Sequence, residues 1–400
     1  MKPTFKLLCR LLFVLSLSNS TLAIAEETPL LLHAARVFDG TTLRTNTSVL
    51  ISNGKITQID QREAFKSTVA TVIDLGDATL LPALIELHAH LAYQHIPADT
   101  VLRHGIGTLR DVGGTVHQPY GGDGSLRVLT SGQIITAPNG YPIPTMGADN
   151  LAIAVATEAQ ARQTVRELIK GGAVVIKIAL ETGNEVGAPW SSEHHHGHSD
   201  PHAEHGKPPH AMPLLSEAIV KAIVDEAHQH HRKVTAHLGE TKGVKIALNA
   251  GVDEWAHIPC DTIPDALLKQ AVARNVKIVT TLDTLSKCSG VAHNAHTWST
   301  LGGEFLYGSE IAHPDIPWGI DAQELNLMMQ LAKLSPLEVL HTATAKAGQY
   351  LNIPLLGTLQ SGAPADLIAV KGDAMHNFKP LEYPDLVISG GKIVVNHFEK

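Results

Sequence analysis

The chain has 400 residues, 44% of them hydrophobic, and a formal net charge of −8. This length and apolar content suffice for one large core or for two or three domains. The acidic balance, without any standout cluster of Lys and Arg, argues against a nucleic-acid partner.

The first 25 residues have the pattern of a secretory signal. Lys2, Lys6 and Arg10 precede a short apolar run over 11–17, and Ala23–Ile24–Ala25 forms a small-x-small cleavage site. The apolar run is too short to cross a bilayer. We therefore expect an exported protein, periplasmic or secreted, that is cut after Ala25 and has no stable membrane insertion.

Short strand signals occur near both chain ends, separated by Gly-containing turns that are typical of β-hairpins. They cover 30–32, 48–51, 71–73, 366–370 and 386–395. Two such segments on either side of a long central region predict a small β-sandwich built from both ends of the chain. We assign residues 26–80 and 357–400 to it.

Strand and helix signals alternate through the central region, residues 81–356. The strand candidates are 84–90, 106–111, 126–131, 173–179, 233–238, 252–257, 276–282 and 304–309. The helical stretches that we place between them include 157–172, 216–227, 262–274 and 321–333. Eight strands with helical crossovers predict an α/β fold of the (β/α)8 TIM-barrel type. A doubly wound open sheet is the alternative, but no Gly-x-Gly-x-x-Gly follows the first strand.

Polar side chains that can bind a metal stand at the ends of several predicted strands. His88 and His90 end the first strand and share one face, because alternate residues of a strand point the same way. In a (β/α)8 barrel, functional side chains gather at the carboxyl ends of the strands. Four later strand ends carry suitable groups: Lys177, His237, His257 and Glu310.

These features together resemble the amidohydrolase superfamily, and within it the imidazolonepropionase and Xaa-Pro dipeptidase-like branch. The resemblance covers about residues 30–400. The motifs that carry it are 81–90, 105–114, 224–228, Ala236–His237, 251–253, 357–359 and 363–367. It implies a metal-dependent hydrolase that cleaves an amide or cyclic-amide C–N bond of a small molecule or short peptide.

The resemblance also implies a role for each strand-end residue. The four histidines, His88, His90, His237 and His257, match metal ligands, with one or two zinc ions as the implied cofactor. Lys177 matches a lysine that is carboxylated in binuclear members and bridges two metals. Glu310 matches the position of the carboxylate that is both a metal ligand and the catalytic base.

Three positions depart from the usual pattern of the family. Glu310 stands where members normally have aspartate, and in the first-strand motif Ala83 stands in place of glycine and Glu86 in place of aspartate. The extra methylene of Glu310 moves its carboxylate by about 1.5 Å, and misplacement by about 1 Å can cost 10²-fold in rate. Two alternatives to a general amidohydrolase therefore stay open: a metallo-dipeptidase of the Xaa-Pro type, and a metal-binding protein with little turnover.

Three further features allow more than one interpretation. The segment 191–210 is a histidine-rich loop that could capture zinc or could be a solvated linker. Cys260 and Cys288 could form a disulfide, and Cys260 could instead bind metal beside His257. The pair Arg110–Asp111 could orient ligands or form an internal ion pair.

Overall fold

The computed structural model describes residues 28–66, 68–147, 150–188 and 211–398. The predicted signal sequence, 1–25, and the histidine-rich segment, 191–210, lie outside the described residues. Every helix within the described ranges is too short or too polar to span a bilayer.

The strands extend from residue 30 to residue 396. They are β1 (Leu30–Phe38), β2 (Leu43–Ser52), β3 (Lys55–Gln61), β4 (Thr71–Asp74), β5 (Ala78–Pro82), β6 (Leu84–Ala89), β7 (Ile106–Asp111), β8 (Arg127–Thr130), β9 (Ile134–Thr136), β10 (Ala152–Ala154), β11 (Val175–Ala179), β12 (Lys233–His237), β13 (Glu254–Trp255), β14 (Lys277–Val279), β15 (Glu304–Leu306), β16 (Leu367–Lys371), β17 (Leu386–Ser389) and β18 (Lys392–Asn396).

The helices lie between β6 and β16. They are α1 (Leu91–Gln94), α2 (Ala98–Arg103), α3 (Ile143–Met146), α4 (Glu158–Gly171), α5 (Glu217–Gln229), α6 (Thr241–Ala250), α7 (Asp265–Ala273), α8 (Val291–Thr300), α9 (Ala322–Leu331), α10 (Pro336–Thr342) and α11 (Ala345–Tyr350). Two short 3₁₀ helices cover Arg62–Phe65 and Lys379–Glu382.

Strands from both chain ends share one eight-stranded sheet. Its order is β18-β17-β16-β5-β1-β2-β3, with β4 also paired to β1. The central strand β5 runs parallel to β1, with Thr79 opposite Arg36, and antiparallel to β16, with Pro82 opposite Leu367. Side chains of this sheet, among them Leu32, Leu80 and Leu367, form a separate apolar cluster.

The central part of the chain is an α/β arrangement of parallel strands alternating with helices. One sheet has the order β6-β7-β8 and the other has the order β10-β9-β11-β12-β13-β14-β15. Backbone hydrogen bonds join the two sheets at two places. Leu87 N–H donates to Tyr307 O (3.3 Å), and Val174 N–H donates to Thr130 O (2.9 Å). The carboxyl ends of β6 and of the strands from β11 to β15 therefore face the same side.

Local sequence signals account for the helix boundaries nearest the site. Thr157 caps α4 by accepting a hydrogen bond from Gln160 N–H, and Ser216 caps α5 in the same way through Ile219 N–H. Ser335 and Glu338 form a reciprocal capping box that begins α10.

The middle strands are buried on both faces. All five residues of β11 are buried, Lys177 included, which is typical of a parallel strand covered on both sides. The fold thus places a lysine inside the apolar core, directed at the centre of the parallel strands.

Candidate metal centre

The six side chains predicted from strand ends come together in the structure. His88, Lys177 and His237 lie on β6, β11 and β12, while His257 and Glu310 follow β13 and β15 closely. Four of these side chains are almost fully buried, while those of His90 and Glu310 are 20% and 11% exposed. The group therefore faces the interior and is partly open at His90 and Glu310.

Distances between ligand-type atoms tie the group together. Oε1 of Glu310 lies 3.9 Å from His90 Nε2, and Oε2 lies 3.9 Å from His257 Nδ1. His88, His257 and Glu310 each offer one ligand atom, and these three atoms lie within 4.8 Å of one another. Lys177 Nζ lies 3.4 Å from His88 Nε2. The rings of His237 and His257 are edge-on to each other, with centroids 4.8 Å apart.

Neighbouring groups fix the orientation of the imidazoles. His88 Nδ1 is 2.7 Å from the carbonyl oxygen of Ala256, a hydrogen bond in which the imidazole donates. Its Nε2 atom is then left to face the centre. His257 Nδ1 shares a hydrogen bond of 3.0 Å with Thr281 Oγ1, and the His237 ring stacks on Tyr141. Partners of this kind hold metal-binding histidines in one tautomer and one direction.

Glu86 connects the first and last strands beneath the centre. This fully buried carboxyl accepts hydrogen bonds from His88 N–H (2.7 Å), Ser309 N–H (3.0 Å) and Ser309 Oγ–H (2.9 Å). Burial raises its pKa to about 8, against the effect of those hydrogen bonds. Glu86 therefore holds the backbone on both sides of the site, next to His88 and next to Glu310. The sequence interpretation noted it only as a departure, although its two-residue spacing from His88 places it on the same face.

The backbone at Glu310 is unusual. Its φ is +67°, a left-handed conformation that costs an L-residue roughly 1–2 kcal/mol. Such outliers persist where the surrounding structure enforces them, often at functional sites. Here the left-handed turn accompanies a longer side chain whose two oxygens reach His90 and His257.

Burial sets the charge state of the group. It lowers the pKa of His90 to about 3 and, with the Lys177 ammonium, holds the pKa of His88 well below its usual range. His237 and His257 are shifted in the same direction, chiefly by burial. Burial also lowers the pKa of Lys177 to about 7 and raises that of Glu310 to about 7. At neutral pH the four imidazoles are neutral and have lone pairs to offer.

This donor set fits a divalent metal. Neutral imidazole and carboxylate are the groups that bind zinc, at about 2.0–2.2 Å. His90 Nδ1 and Glu310 Oε2 are buried atoms without a hydrogen-bond partner among the described residues. The residues present could therefore hold one or two ions between His88, His90, His237, His257, Lys177 and Glu310.

Two open alternatives are resolved by the structure. Arg110 forms a fully buried, two-pronged ion pair with Glu254 (2.6 and 3.1 Å) and donates to Leu87 O, so it is an internal brace. Its neighbour Asp111 accepts a hydrogen bond of 2.8 Å from Ala92 N–H and orders the turn after β6.

Cys260 and Cys288 form a disulfide across 28 residues, so Cys260 is not a metal ligand.

Sequence comparison identifies the family. The profile of the amidohydrolase family matches residues 79–394. The ochratoxinase of Aspergillus niger is 26% identical over 293 residues, which cover 68% of this chain and 57% of that enzyme. The chain thus spans little more than half the length of this relative.

Solved structures show the same fold. The crystal structure of A. niger ochratoxinase superposes with a TM-score of 0.73 at 19% identity, covering 92% of this chain and 96% of that chain. A Xaa-Pro dipeptidase with methionine bound in its active site superposes with a TM-score of 0.72 at 20% identity, covering 92% and 99%.

Proposed function

Since this chain belongs to the amidohydrolase family, we propose that it is a metal-dependent hydrolase that cleaves an amide or cyclic-amide C–N bond. The observation that carries the proposal is the convergence of buried, neutral imidazoles on Glu310, whose oxygens lie 3.9 Å from His90 and from His257. Substrates would be small molecules or short peptides.

The proposed cofactor is zinc, one or two ions. His88, His90 and Glu310 would hold one ion, while His237 and His257 would hold a second. When bound, such ions supply Lewis acidity that polarises a carbonyl and brings the pKa of water towards about 7. Lys177 could join both groups as a carbamate, because a lysine with a pKa of about 7 presents a free amine that can take up CO₂.

Glu310 is proposed as the general base and acid. With a pKa raised to about 7, its carboxylate can accept a proton from the attacking water and return it to the leaving nitrogen. His88 is held by Ala256 and Glu86 through hydrogen bonds of 2.7 Å each, so the donor set keeps its geometry while Glu310 changes its protonation state.

We extend the proposal to architecture and location. The parallel strands would close into a (β/α)8 barrel over residues 81–356, and residues 26–80 and 357–400 would form a sandwich beside it. The two hydrogen-bonded junctions between the parallel sheets support closure. The disulfide between Cys260 and Cys288 supports export to an oxidising compartment.

The function is tested by metal analysis and a substrate panel. Purified protein should contain zinc and should hydrolyse at least one member of a panel of Xaa-Pro and other dipeptides, N-acyl amino acids and cyclic amides. His88→Ala should lose both properties, while His376→Ala, at an exposed position, should keep both. Bound metal without turnover on any substrate would favour a metal-binding protein, and hydrolysis of dipeptides alone would favour the dipeptidase.

A further inference from the structure

Two buried glutamates lie beside the candidate metal centre and were not recognised in the sequence. Glu181 and Glu185 follow β11 in the loop that leads away from Lys177, and they are 1% and 2% exposed. We call these two residues the carboxyl pair. Buried carboxyl groups need a hydrogen-bond donor, a shared proton or a cation.

The two oxygens of Glu181 have different surroundings. Oε1 accepts a hydrogen bond of 2.7 Å from Gly183 N–H, which fixes the carboxyl group in place. Oε2 lies 3.6 Å from Nε2 of His237 and has no hydrogen-bond partner in the described part of the chain. The free oxygen of Glu181 is thus directed at a histidine of the centre.

Glu185 supports this arrangement from behind. Both of its oxygens are buried, and no donor among the described residues reaches them. Its carboxyl group is within hydrogen-bonding reach of that of Glu181, so without a cation one of the two carries the proton. Two carboxyl groups in contact and away from water cannot both carry a charge unless a cation compensates them.

The chain just after β12 leaves room for the pair. Gly239 stands two residues after His237, and a Cβ atom there would lie 2.9 Å from Glu181 Oε2 and 3.0 Å from Glu185 Cγ. Glycine at this position therefore lets the carboxylates approach the backbone that carries His237.

We propose that Glu181 is an additional oxygen ligand of the metal held by His237, with Glu185 as its positioning residue. This inference rests on the proposed function. A tetrahedral ion with bonds of about 2.0–2.2 Å places two of its ligands roughly 3.4 Å apart, and the 3.6 Å between Glu181 Oε2 and His237 Nε2 is close to that value. The metal on this side would then be held by His237, His257 and a carboxylate.

The experiment measures metal binding itself, with Zn²⁺ or Co²⁺ alone as the probe. Metal-free wild type, Glu181→Gln, Glu185→Gln and Glu158→Gln are titrated in competition with a chromophoric chelator, and the visible spectrum of bound Co²⁺ is recorded. Glu158 lies on the exposed first turn of α4 and is the matched control.

Glu185→Gln should weaken the affinity for the metal at the His237 side about 10–100-fold, the range known for residues that orient ligands. Glu181→Gln, which removes the ligand itself, should weaken it more and change the Co²⁺ spectrum. Glu158→Gln should match wild type. Gly239→Ala should also weaken binding, since its new methyl group would displace the Glu181 oxygen while every carboxylate is retained.

Wild-type affinity and spectrum in folded Glu181→Gln would overturn the assignment. If that variant instead lost activity only towards substrates with an ammonium group, the pair would face the substrate, and the assignment would again be wrong. His88→Ala separates the two proposals. Loss of metal in His88→Ala together with unchanged binding in Glu181→Gln would refute this inference alone, whereas unchanged binding in both would refute the proposed function too.

Discussion

Shortening Glu310 by one methylene tests whether the longer carboxylate is the working group. Glu310→Asp withdraws the carboxylate by about 1.5 Å, one C–C bond length. Its Oε1 atom now lies 3.9 Å from Nε2 of His90, its proposed partner on one ion. Two ligands of one zinc ion with bonds of about 2.1 Å can lie at most about 4.2 Å apart. Withdrawal of the carboxylate by about 1.5 Å away from His90 takes this distance beyond that limit.

The expected loss can be stated as a rate. Misplacement by about 1 Å costs about 10²-fold, or about 2.7 kcal/mol of transition-state stabilisation. Glu310→Asp should therefore lower kcat/KM about 10²-fold and reduce the bound metal. Glu310→Gln keeps the length but cannot accept a proton, so it should cost roughly 10²-fold or more in kcat.

The assay is steady-state hydrolysis of the best substrate found, with metal content measured on the same samples. Glu304→Asp is the matched control, because it makes the same change on β15 at a residue whose side chain is 43% exposed and paired with Lys277. A higher kcat in Glu310→Asp than in wild type would refute the reasoning. It would mean that the left-handed backbone at Glu310 misplaces the carboxylate and that aspartate restores the family geometry.

Four further predictions concern the same region. His88→Ala or His90→Ala should lower the metal content measured by mass spectrometry while circular dichroism stays unchanged, and wild-type stoichiometry in both would contradict their role as ligands. Lys177→Ala should lose activity and regain part of it with added short carboxylic acids; full activity without them would make Lys177 purely structural. Metal-free protein should lose stability as the pH falls from about 6.5 towards 3. The pKa of His90 is about 3 in the folded protein and about 6.5 in the unfolded chain, so in this range only the unfolded chain takes up the proton. This group contributes a slope of about 1.4 kcal/mol per pH unit, which His90→Asn should remove from the denaturation data. Cys288→Ser should lower the free energy of unfolding by about 3–4 kcal/mol, since the disulfide closes a loop of 28 residues, and equal urea midpoints would argue against this estimate.

The candidate ligands could be predicted because their positions follow from strand ends. The strand predicted at 106–111 has the observed bounds of β7, and helix α4 (Glu158–Gly171) fills the helical stretch predicted at 157–172. Once the strands are placed, parallel pairing brings their carboxyl ends to one side, where His257 and Glu310 lie 3.9 Å apart.

Other parts of the site follow no periodic pattern and were missed. Glu181 lies in a loop, where its contact with His237 depends on the path of the backbone through Gly183. The disulfide between Cys260 and Cys288 was one of two possibilities for Cys260, because its formation depends on two loops meeting in space. The strand β5 was also missed, because its five residues are all buried and show no alternation of polar and apolar side chains.

The position of β5 has a consequence for the order in which the chain can fold. All five residues of β5 pair with β16, whose residues are nearly 290 positions later in the chain. While the polypeptide is being made, β5 can pair with β1 early, but its other edge stays open until Leu367–Lys371 has been synthesised. An open, apolar strand edge is a site of aggregation, and contacts between such distant segments form slowly. Because β6, with His88, begins two residues after β5 ends, the first ligands of the centre gain their final support only when the last part of the chain is in place.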